Sequence, residues 1–265
     1  MSRAVGRGAA VIEGRPLHPF DAARGLPRRP GTGAASRCQG CGARSVGLCA
    51  PLGPAALDDM AAETERVAVA PRTPLFHQGD DASHVYTLAE GAARLTRVLP
   101  DGRQAAIGFR LAGDIMGFTP ATEHAFGAET LTRATICRVD RRRLDAMFRR
   151  HPVLERRFLE LCAGELAATQ DHVLALGRLT AQERVAHFLL SLAEAQERRG
   201  RRGPVFDLPA TRTDIAELLG LTLETVSRAV SALRKRGWIK LHGLSAFEIT
   251  ERPSLAALAA GEGGA

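Results

Sequence analysis

Nowhere in its 265 residues does the chain hold a run approaching the ~18 continuous apolar residues that a membrane-spanning helix requires. Its start also lacks an apolar segment between basic residues and a small-residue cleavage site, which argues against secretion and for the cytoplasm. A Gly-rich nucleotide-binding signature is missing. His77, His84, His124 and His187 are scattered rather than grouped with acids or a serine, so nothing reads as catalytic machinery and an enzyme is not expected. Acidic residues are scarce at the beginning: the first 37 residues hold seven arginines against Glu13 and Asp21, and so carry +5 of the formal +7. Such a composition imitates an organellar transit segment. Pro16, Pro19, Pro27 and Pro30 would break its amphipathic helix, however, and a disordered basic tail over 1–37 is the expectation. Overall basicity is therefore a weak pointer to nucleic acid. Cysteine is sparse as well: there are five, an odd number, yet Cys38, Cys41 and Cys49 fall within twelve residues. In an unsecreted protein that crowding favours metal or redox chemistry over structural disulfides.

What is present changes character along the chain. The cysteine segment occupies 38–60, with a short helix beginning near Leu57–Met60. From 61 to 150 the pattern is one of short alternating runs broken by glycine: Val85–Leu88 before Glu90-Gly91, Ala93–Leu99 before Asp101-Gly102, and Ala105–Phe109 before Gly113-Asp114. Strands at such spacing predict an antiparallel sandwich or roll. Over 151–179 the period becomes helical. Leu159, Leu166 and Val173 are seven apart, each followed three residues later by Cys162, Thr169 and Leu176, an a/d seam suited to a two-helix dimer contact. An amphipathic helix lying on the roll would show the same pattern. Thr180 with Glu183 three residues on opens a further helix, Ala181–Arg199, at the start of a region running to 258; residues 259–265 read as a tail.

The most informative segment lies within 180–258. Thr211-x-x-Asp214 has capping-box spacing, with Asp in place of the usual Glu, and opens a helix carrying Ile215, Leu218 and Leu219 on one face. Gly220 permits a tight turn, and Thr222 caps a second helix reaching Arg236, with Val226, Val230 and Leu233 as its apolar back. Glu224, Ser227 and Arg228 share a different face. Arg can donate two bonds to guanine O6 and N7, and Glu can accept from cytosine N4, so this face suits base reading in a major groove. Between Arg198 and Lys240 ten Arg and Lys stand against four acids, a local +6. Trp238–Leu241 and Ala246–Thr250 around His242-Gly243 predict a β-hairpin wing.

The order tail, cysteines, β-roll, long helix and winged helix-turn-helix resembles the CRP/FNR superfamily of bacterial transcription regulators, over about Cys38 to Leu258. The resemblance is carried by Gly108–Phe118 (GFRLAGDIMGF), Ala181–Phe188 (AQERVAHF) and Leu219–Arg228 (LGLTLETVSR). It implies an α+β fold: a cyclic-nucleotide-binding-like jelly roll, a dimerisation helix and a C-terminal winged helix-turn-helix. The Glu-x-x-Ser-Arg core looks like the FNR branch, whose members read TTGAT-type half-sites in an inverted repeat. On that resemblance Glu224, Ser227 and Arg228 read bases, Thr211, Arg212 and Thr213 contact phosphates, and a roll loop such as Pro100–Arg103 touches RNA polymerase.

Cys38-x2-Cys41-x7-Cys49 with Cys137 is similar to the ligand set of oxygen-sensing members that carry a [4Fe–4S] cluster, and would make the chain a regulator of anaerobic or microaerobic genes. Thiolates are the usual ligands of such clusters, but spacing alone leaves zinc or a redox thiol set open. Leu48 would shield one side, and Cys162 reads as a small hydrophobe on the seam. The seam itself holds no carboxylate, with Glu165 and Asp171 flanking it, so a cluster-free protein has no evident repulsion to keep it monomeric. A nucleotide-sensing regulator of the CRP type is the rival. It would need a Gly-Glu segment followed by an Arg with neighbouring Ser or Thr, whereas Gly113–Gly117 leads into Phe118-Thr-Pro-Ala and Arg133 comes too late.

Overall fold

Alternation of apolar and polar residues from Thr64 to Asp140 builds two four-stranded antiparallel sheets that face each other in a computed structural model of the protein. The structure describes Cys38 and residues 40–262; the tail expected over 1–37 and the last three residues lie outside the described residues. A short helix, α1 (Pro54–Glu63), precedes the sheets. One sheet orders its strands β1 (Thr64–Val69), β8 (Ala134–Asp140), β3 (His84–Glu90) and β6 (Ile115–Met116). The other orders β2 (Pro74–Phe76), β7 (Gly127–Thr130), β4 (Ala92–Val98) and β5 (Gln104–Leu111). Leu75, Phe76, Leu88, Leu95, Met116 and Ile136 fill the space between them. His124 belongs to this interior: it is 3 % exposed and stacks on Phe76 with ring centres 4.0 Å apart, a core histidine rather than a surface one.

Asp140 caps α2 (Arg141–Arg150) by accepting from the amides of Arg142 and Arg143. Pro152 then opens the 27-residue helix α3 (Pro152–Arg178). Only Leu154 and Ala175 of this helix are buried. Leu159, Leu166 and Val173 are 61 %, 60 % and 63 % exposed, so in one protomer the a positions are left mostly uncovered. Cys162 and Leu176 are partly buried, and Thr169 is exposed with its hydroxyl turned back onto the Glu165 carbonyl at 2.8 Å.

The helix α4 (Ala181–Arg198) starts as its cap predicts, the Glu183 carboxylate accepting from the Thr180 amide at 2.7 Å. After β9 (Val205–Asp207) come α5 (Arg212–Leu219) and α6 (Leu223–Lys235), then the hairpin β10 (Ile239–His242) and β11 (Ala246–Ile249). Helix α2 falls within the stretch expected to be all β-roll, and two further elements near the C-terminus were not foreseen either. Strand β9 pairs with β11 and makes the wing three-stranded. Helix α7 (Arg252–Ala259) packs Leu255, Leu258 and Ala259 into the core, so Ala259, expected to start a tail, is 6 % exposed inside the fold. That core continues across into the roll, joining Ala92, Ala106 and Leu131 to residues of α4, α5 and α6. Phe109 of β5 meets Phe188 of α4 edge to face. Among the described residues no helix is long and apolar enough to cross a membrane.

Candidate nucleic-acid interface and cysteine site

Local chemistry sets the two helices of the reading motif. The Thr211 hydroxyl accepts from the Asp214 amide, and the Asp214 carboxylate accepts from the Thr211 amide at 2.8 Å, closing the capping box. Gly220 stands in the left-handed region at φ 61, as the turn demands. Thr222 caps α6 by accepting from the Thr225 amide. Val226, Ala229, Val230 and Leu233 are all at or below 3 % exposure and bind α6 to the core. Glu224, Ser227 and Arg228 are thereby left together on the open face. The Glu224 carboxyl is held below its ordinary range by hydrogen bonds at the helix start, from its own amide and from Thr222, with Arg228 helping. Thr211 and Thr213 are exposed at the start of α5, although the Thr211 hydroxyl also donates to Asp214 at 2.6 Å. Arg212 turns partly inward, and burial lowers its pKa. Arg234, Lys235, Arg236 and Lys240 are exposed at the far end of α6 and on the wing, with Arg236 over the Trp238 ring at 4.9 Å.

The cysteines come from two distant parts of the chain and line one small cavity, about 50 Å³ in volume. Cys38, Cys41 and Cys49 lie on a tightly turned loop held by backbone bonds such as Arg44 N to Cys41 O and Gly47 N to Ala43 O. Arg44 donates to the carbonyls of Cys49, Ala50 and Leu52 and fastens the loop's second half. Cys137 arrives from β8, paired in register with Arg66 of β1 and Thr87 of β3. Leu48, 1 % exposed, together with Leu57, Met60, Ala89 and Val139 makes most of the remaining lining apolar, with Arg44, Arg66, Thr64 and Thr87 as its polar members. Burial pushes the Cys49 thiol up to about 12, with Cys38 and Cys41 adding to it and Arg44 opposing. Burial likewise takes Cys137 to about 12, against the nearby Arg66. At neutral pH these two thiols therefore keep their protons. Cys162 lies apart on α3, packed against the apolar cluster that includes Leu154 and Met147. Among the described residues no three His, Cys, Asp or Glu side chains are arranged to hold a single metal ion.

Arginines that no periodicity singled out join the loop to the rest. Arg157 of α3 donates to the Val46 and Gly47 carbonyls of the cysteine loop. Arg199, at the end of α4, donates to the Ala112 carbonyl and to the Asp114 carboxylate. Between them, Gly113 (φ 101) lies so close to the loop that a Cβ there would sit 2.7 Å from Val46 Cγ2. Arg184 bonds the carbonyls of Leu176, Leu179 and Leu219, stitching α3, α4 and α5 at one joint. Arg110 of β5 pairs with Glu165, one of the acids flanking the seam.

Comparison with known proteins agrees with the roll and the helix-turn-helix. Residues 183–258 match a family described as the Crp-like helix-turn-helix domain, and residues 66–151 match the cyclic nucleotide-binding domain. The chain is 36 % identical over 200 residues to the transcriptional activatory protein AadR of Rhodopseudomonas palustris, covering 75 % of this chain and 84 % of that one. It is 31 % identical over 230 residues to the fumarate and nitrate reduction regulatory protein of Salmonella typhi, covering 86 % and 92 %. The solved structure of FixK2 from Bradyrhizobium japonicum superposes with a TM-score of 0.67 at 34 % identity, covering 74 % of this chain and 96 % of that one.

Proposed function

The chain belongs to the CRP/FNR family of DNA-binding transcription regulators, on the FNR side of it, and from that premise we propose a redox-responsive member. It is a homodimer that holds a [4Fe–4S] cluster on Cys38, Cys41, Cys49 and Cys137, responds to oxygen, and reads a TTGAT-type inverted repeat to control anaerobic or microaerobic genes. The carrying observation is that these four thiols, from residues 38–49 and from β8, line one apolar cavity. The likeness of Cys38-x2-Cys41-x7-Cys49 with Cys137 to the ligand set of oxygen-sensing members favours a cluster over zinc; thiolates are the usual ligands of iron–sulfur clusters, and a four-iron cluster commonly takes four of them. Bound there, it would supply a centre that oxygen degrades.

The protein's own residues do the rest. Leu48 limits solvent access to one side of the thiols, while Arg44 and Arg66 offset the negative charge that builds up when they ionise. Arg157 makes the loop's position felt on the dimerisation helix α3, so a loop state that favours one helix setting shifts the population of dimer. In the dimer two α6 helices enter successive major grooves. Arg228 donates to guanine, Glu224 accepts from cytosine, and Ser227 bonds a base edge between them. Thr211, Arg212 and Thr213 hold backbone phosphates. The Pro100–Arg103 turn, closed by the Leu99 amide on the Arg103 carbonyl, is exposed for RNA polymerase.

Anaerobic purification with iron and sulfide analysis, followed by admission of air, tests this reading. A brown protein with a broad band near ~400 nm that bleaches in air, and that is lost on Cys→Ser change at Cys38, Cys41, Cys49 or Cys137, supports it. A colourless protein that anaerobic reconstitution does not colour removes the cluster and leaves the DNA-binding assignment standing.

A further inference from the structure

Arg72 is the one non-glycine residue with positive φ among the described residues, at φ 57 in the turn between β1 and β2. An arginine avoids that conformation unless its surroundings impose it. Here the backbone is pinned to the fully buried Thr130: the Arg72 amide donates to the Thr130 carbonyl at 2.8 Å and the Thr73 amide to its hydroxyl at 3.0 Å. So held, the guanidinium reaches out of the roll and makes a two-pronged bond to Asp214 of α5, at 2.9 and 2.7 Å. Arg94 of β4 adds a bond of 2.9 Å to the same carboxylate and one of 3.2 Å to Glu217, with Glu129 behind both arginines. Counting the Thr211 amide and hydroxyl, Asp214 receives five donors while its side chain is 3 % exposed. The shorter acid that replaces the usual glutamate of the capping box therefore works in two domains at once.

We propose that Arg72 and Arg94 are positioning residues that fix the angle of the DNA-reading head on the roll and thereby set which half-site spacing the dimer accepts. Apolar contact through Ala92, Ala106 and Leu131 holds the head on but carries little orientation. Bidentate charge bonds are directional, and one at the start of α5 fixes where α6 points. The reading face, Glu224, Ser227 and Arg228, is exposed and takes no part in the clamp. In a two-fold dimer any swing of the head about the α3–α4 joint changes the separation of the two α6 helices twice over, and operators are discriminated by that separation.

The inference rests on the DNA-reading role of α6 and not on the cysteine site. Arg72→Asn is the first variant, since asparagine tolerates the left-handed backbone but cannot reach Asp214. The anaerobically purified full chain is titrated against duplexes carrying a TTGAT inverted repeat whose central spacer is varied one base pair at a time. Thermal melting and sedimentation are run beside it. The expected result is an unchanged dimer that melts within a few degrees of the parent, with preference for the best spacer over its neighbours reduced at least fivefold; Arg94→Leu should behave alike. Unchanged spacer preference in both variants overturns the clamp, whether or not they melt earlier. Arg228→Ala keeps the clamp and is expected to weaken binding to every spacer equally. If it bound as tightly as the parent, the DNA-reading assignment would be the part that fails.

Discussion

Replacing Leu166 by alanine offers the sharpest test of the assembly, because the predicted loss can be worked from a single exposed side chain. Leu166 lies midway along the α3 seam and is 60 % exposed in the protomer. Burying a leucine fully is worth about 1.5–3 kcal/mol, so covering the exposed part contributes about 1–2 kcal/mol per protomer and roughly 2–4 kcal/mol per dimer. At about 1.4 kcal/mol for each tenfold, Leu166→Ala should raise the dimer dissociation constant roughly 30- to 700-fold. Alanine favours the helix at least as well as leucine, so the protomer should keep its fold and its melting behaviour. Sedimentation velocity across nanomolar to micromolar protein, under nitrogen, reads the constant directly. Gln170→Ala, one turn on and also exposed, serves as the control and should leave it alone. A dissociation constant within threefold of the parent in Leu166→Ala would refute the reasoning, since the apolar stripe would then meet something other than a second copy.

Other expectations follow from single contacts. Arg228→Ala should lose about 1–3 kcal/mol of discrimination at one operator position, seen as equalised affinity for guanine and its replacements there in anisotropy titrations. Asp214 carries a pH signature. Burial alone would raise its pKa, but the Arg72 and Thr211 hydrogen bonds overcome that and bring it to about 2 from 3.8. A carboxyl depressed in the folded state stabilises above its unfolded pKa and loses that contribution as pH falls through the folded value. Asp214→Asn should therefore cost about 2 kcal/mol in urea unfolding at pH 7, with the gap from the parent closing between about pH 4 and 2. Gly113→Ala forces a side chain into φ 101 and against Val46. It should cost roughly 1–3 kcal/mol and lower the iron content reached on anaerobic reconstitution, because the displaced atoms belong to the cysteine loop; full iron content at parental stability would contradict the contact.

The helix-turn-helix could be read directly from residue order because everything that defines it is local. The caps at Thr211 and Thr222 act within three residues, Gly220 answers a single turn, and the stripe Val226, Val230, Leu233 repeats at the helical period. The roll was legible for the same reason, through the two-residue period of its strands, and so was the helical period of α3. Chain order alone could not say that Cys137 would lie against a loop some ninety residues earlier, since that depends on the register of β8 between β1 and β3. Nor could it find β9 and α7, short segments whose place is decided by the core they complete. The arginines were the least visible of all. Arg72, Arg94, Arg157, Arg184 and Arg199 look like ordinary surface charge in sequence, because a long flexible side chain has no period and its partner is chosen by whatever the fold brings within reach. Local pattern determined most of the elements and which face of α6 is left open. The way roll, long helix and winged domain are tied together was decided by contacts between residues as far as 142 positions apart.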